Sequence, residues 1–355
     1  MSIDLYSTRN MAQALRQMKP PRSFLRSLCV RRDEEFTAEQ VDVDIQTGQR
    51  RLAPFVNPRA PGKLVERIGF QTRTYTPPLV APKRPLTPSD LQKRLPGETV
   101  YATQTPDERA AILLGQDLAE LDEMIARREE WMIARAIFDS QIPLVGDDLN
   151  TSITFDRDSS LDVGDIGSSA YWDANTADIP ANIRDWRRRI VKLTGIAPTD
   201  MVLGEEAADA FLSAPSLKGL SGLMNTQRMD MGMIKPELRD GGAIYLGTFA
   251  GTGVDLWAYD EWYIDPADGV EKPMVPAKEI AMLSTQAYSV MRYGAVGVAS
   301  GTEGQAANLA LVAGKRVPES WIDKEPAVRH LKISARPLFV PVQNNAYLTA
   351  QVVAS

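Results

Sequence analysis

The sequence predicts an α+β fold on three observations: one unusually long amphipathic helix, a series of short alternating strands toward the C-terminal half, and a two-armed extended segment between residues 41 and 76. The 355 residues are 44% apolar and 24% charged. That is ordinary globular composition, enough for a sizeable core and for two domains or one with large excursions.

The extended segment comes first. Val41, Val43 and Ile45 alternate with Asp42 and Asp44, the period-2 signature of a half-buried strand. Gly48 follows, then Arg50-Arg-Leu-Ala-Pro-Phe-Val-Asn-Pro-Arg-Ala-Pro-Gly62, and alternation resumes from Lys63 through Val65, Arg67 and Gly69 to Thr76. Two arms around a tip of Asn57, Pro58, Pro61 and Gly62 read as a long hairpin. Both of its faces are polar, with few large apolar residues, and a lone two-stranded ribbon is marginally stable in water. It needs a neighbour to lie on. Pro77, Pro78, Pro82, Pro85 and Pro88 then make a stiff extended return.

The helix follows. Thr105-Pro-Asp-Glu108 is a capping box with proline at the first helical position. Leu114, Leu118, Leu121, Ile125 and Met132 recur at three-to-four spacing on one face. Glu123 and Arg127 form a favourable i,i+4 pair. The predicted span is 106–138, on the order of 50 Å of helix, which suits a strut. Beyond Asp147 a Ser/Asp-rich stretch reads as loop with a short strand at Ser152–Phe155. Helices are expected at 180–193, stopped by Gly195, and at 205–212, with a strand at Met201–Leu203 between them. Strands are expected around Ile244 and Val254, with a turn at Pro266-Ala-Asp-Gly269. Val328–Ser334, Leu338–Val342 and Tyr347–Val353 read as strands closing one sheet.

Charge is unevenly spread. Residues 1–32 carry seven Lys/Arg and one acid, residues 33–49 six acids and no base, and residues 50–94 ten bases against Glu66 and Asp90. Overall the formal net charge is −6. That argues against a whole-molecule nucleic-acid binder, which needs a basic surface to displace counterions. A basic block beside an acidic remainder is either solvated surface or a segment that lies on another copy, since complementary potentials set docking register.

Little points to chemistry. There is one cysteine, Cys29, and one histidine, His330, so no intramolecular disulfide and no Cys/His zinc site can be built within one chain. Any nucleophile–base arrangement would need His330, which sits in an alternating strand and reads as a surface or pairing residue. Cys29 reads as a buried structural thiol. The carboxylate pairs Asp42/Asp44 and Glu129/Glu130 are the kind any acidic protein carries, and Asp42 and Asp44 read as solvated surface. Gly314-Lys315 is followed by Arg316, so the phosphate-loop pattern fails. No signal peptide and no run of eighteen apolar residues is evident. No catalytic residue, metal site or cofactor is expected.

Three stretches carry a family resemblance. Arg50-Arg-Leu-Ala-Pro-Phe-Val, Gly62-Lys63, Glu66, Gly69-Phe and Thr74-Tyr-Thr-Pro-Pro-Leu-Val-Ala-Pro-Lys83 resemble the extended loop of phage lambda-type major capsid proteins. The helix with Glu120-Leu-Asp-Glu123, Arg127, Glu129 and Glu130 resembles their spine helix. Arg316-Val-Pro-Glu-Ser-Trp321, Glu325-Pro-Ala-Val-Arg329, Ala335-Arg-Pro-Leu338 and Asn345-Ala-Tyr-Leu resemble their C-terminal signature. Residues 150–310 match loosely.

The resemblance implies the Hong Kong 97 capsid fold. An N-terminal arm (1–35) would reach neighbours. A peripheral domain (36–49, 81–149 and 326–355) would carry the spine helix, with Leu114, Leu118, Leu121 and Ile125 facing inward. The extended loop (50–80) would contact the adjacent subunit through Arg50, Arg51, Arg59, Lys63, Arg67 and Arg73. An axial domain (150–325) would surround the five- and six-fold positions. Implied partners are copies of the same chain as hexamers and pentamers, a separate scaffolding protein, a portal and a decoration protein, around DNA held without sequence-specific binding. No membrane is involved, and the shell would be assembled in the host cytoplasm and end in the virion. The alternatives are an encapsulin-like compartment, separable by what purified shells contain, and a cytosolic enzyme or binding module, which would elute as a small oligomer.

Overall fold

A computed structural model describes residues 6–19, 21, 23–45, 52–53, 55–56, 61–65, 71–93, 105–146, 149–214, 242–249, 251–300 and 308–354. Two short helices come first, α1 (Thr8–Gln17), capped by the Ser7 hydroxyl, and α2 (Phe24–Cys29). Strands β1 (Arg32–Glu35), β2 (Val41–Ile45), β3 (Gln71–Tyr75) and β4 (Lys83–Leu86) lead to α3 (Pro88–Gln92) and the long α4 (Pro106–Phe138). The 33-residue α4 has the expected bounds: Thr105 and Glu108 exchange the two capping-box bonds, and Ser140, at φ 53°, turns the chain out of the helix.

The hairpin β5 (Gln141–Gly146) and β6 (Leu149–Thr154) follows, then β7 (Asp162–Asp165), α5 (Ile179–Thr194), β8 (Asp200–Leu203) and α6 (Glu205–Ser213). Helix α5 ends on Gly195 at φ 80°, the left-handed position that glycine fills without strain. Strands β9 (Ala243–Phe249), β10 (Val254–Tyr259), β11 (Trp262–Ile264), β12 (Glu271–Pro273), β13 (Glu279–Leu283), β14 (Ser289–Tyr293), β15 (Val296–Ser300) and β16 (Asn308–Val312) come next. The chain closes with β17 (Val317–Lys324), β18 (Ala327–Ser334), β19 (Pro337–Pro341) and β20 (Leu348–Gln351).

A six-stranded mixed sheet in the order β7-β20-β13-β8-β10-β9 forms the largest layer. On one of its faces Trp172, Ile183, Trp186 and Phe211 bury the apolar sides of α5 and α6. The other face, through Val202, Trp257 and Ala281, shares a core with the C-terminal half of α4 and the sheet β1-β14-β19.

The expected inner face of α4 splits between two cores. Leu114, Leu118, Leu121 and Ile125 pack with Met11 of α1 and with Leu331, Ile333 and Ala335 beside the sheet β17-β18-β4. From Met132 to Phe138 the helix is apolar on nearly every side and is accordingly sunk in the body. Pro85 costs that smaller sheet little, because β4 is its edge.

One expectation needs correction. The three C-terminal strands do not close one sheet: β18 pairs with β17 and β4, β19 with β14, and β20 with β13 and β7. Sequence periodicity marks the strands, but the bends at Ala335–Arg336 and at 343–347 re-aim each toward a different layer. The described part of residues 8–35 packs on its own chain. Met11 sits in the α1–α4 core, Phe24 and Leu25 are buried beside α4, and β1 pairs in parallel with β14. Burial of these apolar residues holds the segment against α4.

Candidate assembly surfaces

The ribbon is anchored at its base and bare toward its tip. β2 and β3 pair antiparallel from Val41↔Tyr75 to Ile45↔Gln71. Its base is less polar than expected: Val41 and Val43 are fully buried in the main core, and the Tyr75 ring lies 5.9 Å from Phe155. Toward the tip the described residues carry no helix or strand, and Leu52, Phe55 and Leu64 are 94%, 102% and 103% exposed. Fully burying such a side chain is worth about 1.5–3 kcal/mol, so the three together hold roughly 5–9 kcal/mol of unused burial.

Of the expected contact residues, Lys63 is exposed among these apolar groups, while Arg73 is spoken for at the base by an ion pair with Asp156. Arg50, Arg51, Arg59 and Arg67 lie outside the described residues. Leu114, Leu118, Leu121 and Ile125 of α4 are all buried.

A second constellation was hidden in the sequence. Glu129 and Glu130, read there as an unremarkable acidic pair, are 1% and 2% exposed. Glu129 accepts from Arg26 Nη1 at 2.5 Å, Arg316 Nη1 at 2.7 Å and the Tyr293 hydroxyl at 3.1 Å. Arg316 also reaches Asp122 at 2.5 Å, and Arg26 grips Asp33 through both carboxylate oxygens at 2.9 and 2.8 Å. Burial alone would push the Arg316 guanidinium toward losing its proton, but Glu129 and Asp122 outweigh it and its pKa lies above the usual value.

Glu130 does something different. Ser23, at the N-cap of α2, makes no side-chain capping bond. Glu130 caps the helix from across the core, accepting from the Leu25 N–H at 2.5 Å and the Arg26 N–H at 3.0 Å, with the Tyr259 hydroxyl at 3.0 Å. Burial raises its pKa to about 7, and the three donated hydrogen bonds hold it from rising further. The sequence did hold a signal: Glu129 falls four residues after Ile125, on the apolar stripe of α4. A carboxylate at that position must either break the stripe or be paired.

The remaining reactive residues are structural. Cys29 is buried at the end of α2, and burial pushes its thiol pKa well above the ordinary value. His330 stacks on Trp321 at 5.2 Å with Asp323 3.0 Å from its Nε2. Among the described residues no cluster of three His, Cys, Asp or Glu is arranged for a metal ion, and no helix is long and apolar enough to cross a membrane.

The body is held by a buried ionic hub, and the ribbon's described tip residues stand bare beside it. The profile of the family described as phage major capsid protein E matches residues 7–352. The P21 prophage-derived major head protein of Escherichia coli O6:H1 (strain CFT073) is 25% identical over 355 residues, covering 98% of this chain and 99% of the relative. The major capsid protein of Enterobacteria phage P21 gives the same figures. Among solved structures, the putative capsid protein of an E. coli CFT073 prophage superposes with a TM-score of 0.71 at 16% identity, covering 98% of this chain and 99% of that one. A phage-related protein from Bordetella bronchiseptica RB50 superposes at 0.52 with 12% identity, covering 96% and 95%. The fold is the α+β Hong Kong 97-like capsid fold, and with a family profile spanning nearly its whole length, the chain belongs to the phage major capsid protein E family.

Proposed function

We propose that this chain is the major shell subunit of a tailed-phage head, closing as hexamers and pentamers into an icosahedral or prolate shell around double-stranded DNA. The observation that carries this is the ribbon tip. Apolar side chains as bare as Phe55 have no role in the subunit's own core, and a neighbouring copy supplies the surface they lack. Each such contact can be weak, because leaving a closed lattice requires breaking several at once. The work of the protein is binding rather than catalysis.

In this reading residues 1–35 form an N-terminal segment and 50–80 the extended loop. Residues 36–49, 81–149 and 326–355 form the peripheral domain, and 150–325 the axial domain. Support for the last division is the separate core under α5 and α6, distinct from the one around the N-terminal half of α4. A separate scaffolding protein, a portal and a decoration protein complete the assembly, which takes place in the host cytoplasm and ends in the virion.

The test is removal of residues 52–65 with both strands of the ribbon base kept. The shortened subunit should remain folded by circular dichroism and yield no shells in electron micrographs. Intact shells from it would overturn the role given to the tip.

A further inference from the structure

Helix α2 and strand β1 form a strap laid over the body. Strand β1 is the edge of its sheet, paired only with β14, and six-residue α2 has no capping side chain of its own. Such a segment can lift without breaking the sheets beneath it. Its clip is the pair of neighbouring carboxylates on α4, and the two are held differently. Glu129 is gripped by the guanidinium groups of Arg26 and Arg316. Glu130 has no cationic partner among the described residues and is met by the Leu25 and Arg26 N–H groups and the Tyr259 hydroxyl.

Tyr259 is buried between two carboxylates. Its oxygen lies 3.0 Å from Glu130 and 2.5 Å from Glu261, which is half-buried. A phenol has one hydrogen to donate and lone pairs with which to accept, so it serves only one of two anions at a time. Two arrangements follow. With a proton on Glu130, that carboxyl donates to the Tyr259 oxygen, Tyr259 donates to Glu261, and Glu130 is neutral in the core. When the proton leaves, Glu130 passes it to the Tyr259 oxygen, Tyr259 passes its own hydrogen to Glu261, and Glu261 releases it to water. Tyr259 then points at Glu130, now a buried anion, and Glu261 keeps its charge without a donor.

The other ionisable groups packed around Glu130 do not neutralise that charge. On α2 the Arg26 side chain is turned to Glu129 and Asp33, and Cys29 is a neutral buried thiol. On β8, Asp200 accepts from the Trp257 indole at 2.9 Å, and on β14 the Tyr293 hydroxyl serves Glu129. A buried anion without a cation is costly, and lifting α2 gives it water.

We propose that Glu130, Tyr259 and Glu261 form a proton-operated latch on residues 24–35: a proton on Glu130 keeps the strap docked, its loss favours the lifted state, and Glu261 sets the balance from the surface side. Burial places the Glu130 pKa at about 7, above the ordinary 4.5. A group raised in this way contributes fully below the ordinary value and loses its contribution as pH rises through 7. The strap therefore loosens toward alkaline pH. The latch acts within one subunit and stands apart from the shell reading.

Cys29, the last residue of α2 and the sole thiol, is labelled with a pyridyl disulfide in the intact chain, and the rate is divided by that of a free thiol at the same pH. In wild type the corrected rate should rise on the order of 50-fold from about pH 5 to about pH 8. Glu261→Gln removes the competing anion and offers Tyr259 an amide N–H, so the phenol can give its hydrogen to Glu130 throughout. The midpoint of the rise should then fall by about one pH unit. In Tyr259→Phe the link is cut, and adding Glu261→Gln should shift the profile little.

A flat wild-type profile, a Glu261→Gln profile that matches wild type, or the same Glu261→Gln shift with and without the Tyr259 hydroxyl overturns the latch. If Tyr259→Phe folds poorly, infrared difference spectra between wild type and Glu130→Gln decide. The band of a protonated carboxyl should be present at about pH 6 and gone at about pH 8. A band absent at the lower pH, or unchanged at the higher, overturns the proposal.

Discussion

Replacing Glu130 with alanine removes the acceptor that caps α2 from across the core. Two backbone N–H groups, of Leu25 and Arg26, lose their partner in a site where Glu130 itself is only 2% exposed. Each buried donor left unmade costs about 1–3 kcal/mol. The Tyr259 hydroxyl is spared, because it keeps Glu261 at 2.5 Å. Water entering the vacated space will recover part of the cost, so about 3 kcal/mol is expected for holding α2 in place.

What α2 otherwise has is apolar packing: Leu25 is fully buried, and the Phe24 ring lies 5.4 Å from Trp257 and 5.1 Å from Tyr259. The helix should therefore dock still, but open far more often. Cys29, the last residue of α2 and the only thiol, reports that opening directly. At about 1.4 kcal/mol per tenfold, its labelling by a thiol reagent in native buffer should accelerate roughly a hundredfold in Glu130→Ala. The global unfolding midpoint in urea should fall at the same time. Unchanged Cys29 labelling with an intact fold would show that Glu130 does not hold α2, and the cross-core cap would have to be abandoned.

The same carboxylate makes stability depend on pH. Its native pKa of about 7 stands above the ordinary 4.5, so its contribution is fully present below about pH 4.5 and is lost as pH rises through 7. Urea titrations of wild type should show stability declining over that window relative to Glu130→Gln, which does not ionise, and parallel curves for the two would contradict the buried, hard-to-ionise state. Gly204→Ala should be poorly tolerated: a methyl there would sit 2.7 Å from the Ala277 carbonyl oxygen and closer still to that of Pro276, where α6 starts against the chain before β13. The expected loss is about 1–3 kcal/mol or more, seen as a lower melting temperature in calorimetry, and a wild-type melt would show that this backbone crossing can spread.

The sequence was most legible where structure is written locally. Thr105 and Glu108 mark the start of α4, its apolar spacing its length, and Gly195 the end of α5. The β2 and β3 arms were visible as alternation. What escaped was set at a distance. Helix α2 is only six residues long and takes its cap from residue 130 rather than from Ser23, so nothing near it announces a helix. Glu129 and Glu130 look like surface acids until Arg26 and Arg316, 103 and 187 residues away, close around Glu129. Strand periodicity identified β18, β19 and β20, but which sheet each joins depends on bends and partners that no local pattern encodes. Toward the tip Leu52, Phe55 and Leu64 are bare, whereas the base, with Val41 and Val43 in the core, belongs to the subunit itself.

The last three strands have a consequence for how the protein is made. Residues 327–351 supply one strand each to three different sheets, and β20 lies in the interior of the largest, between β7 and β13. These residues emerge from the ribosome after everything they pair with, so none of those three sheets is whole until synthesis has passed them. A chain cut short before β18 lacks a strand in every one of those layers and has no finished body from which to present its ribbon. Such fragments are left unfit to join a growing lattice, and the order of translation itself screens what is admitted to it.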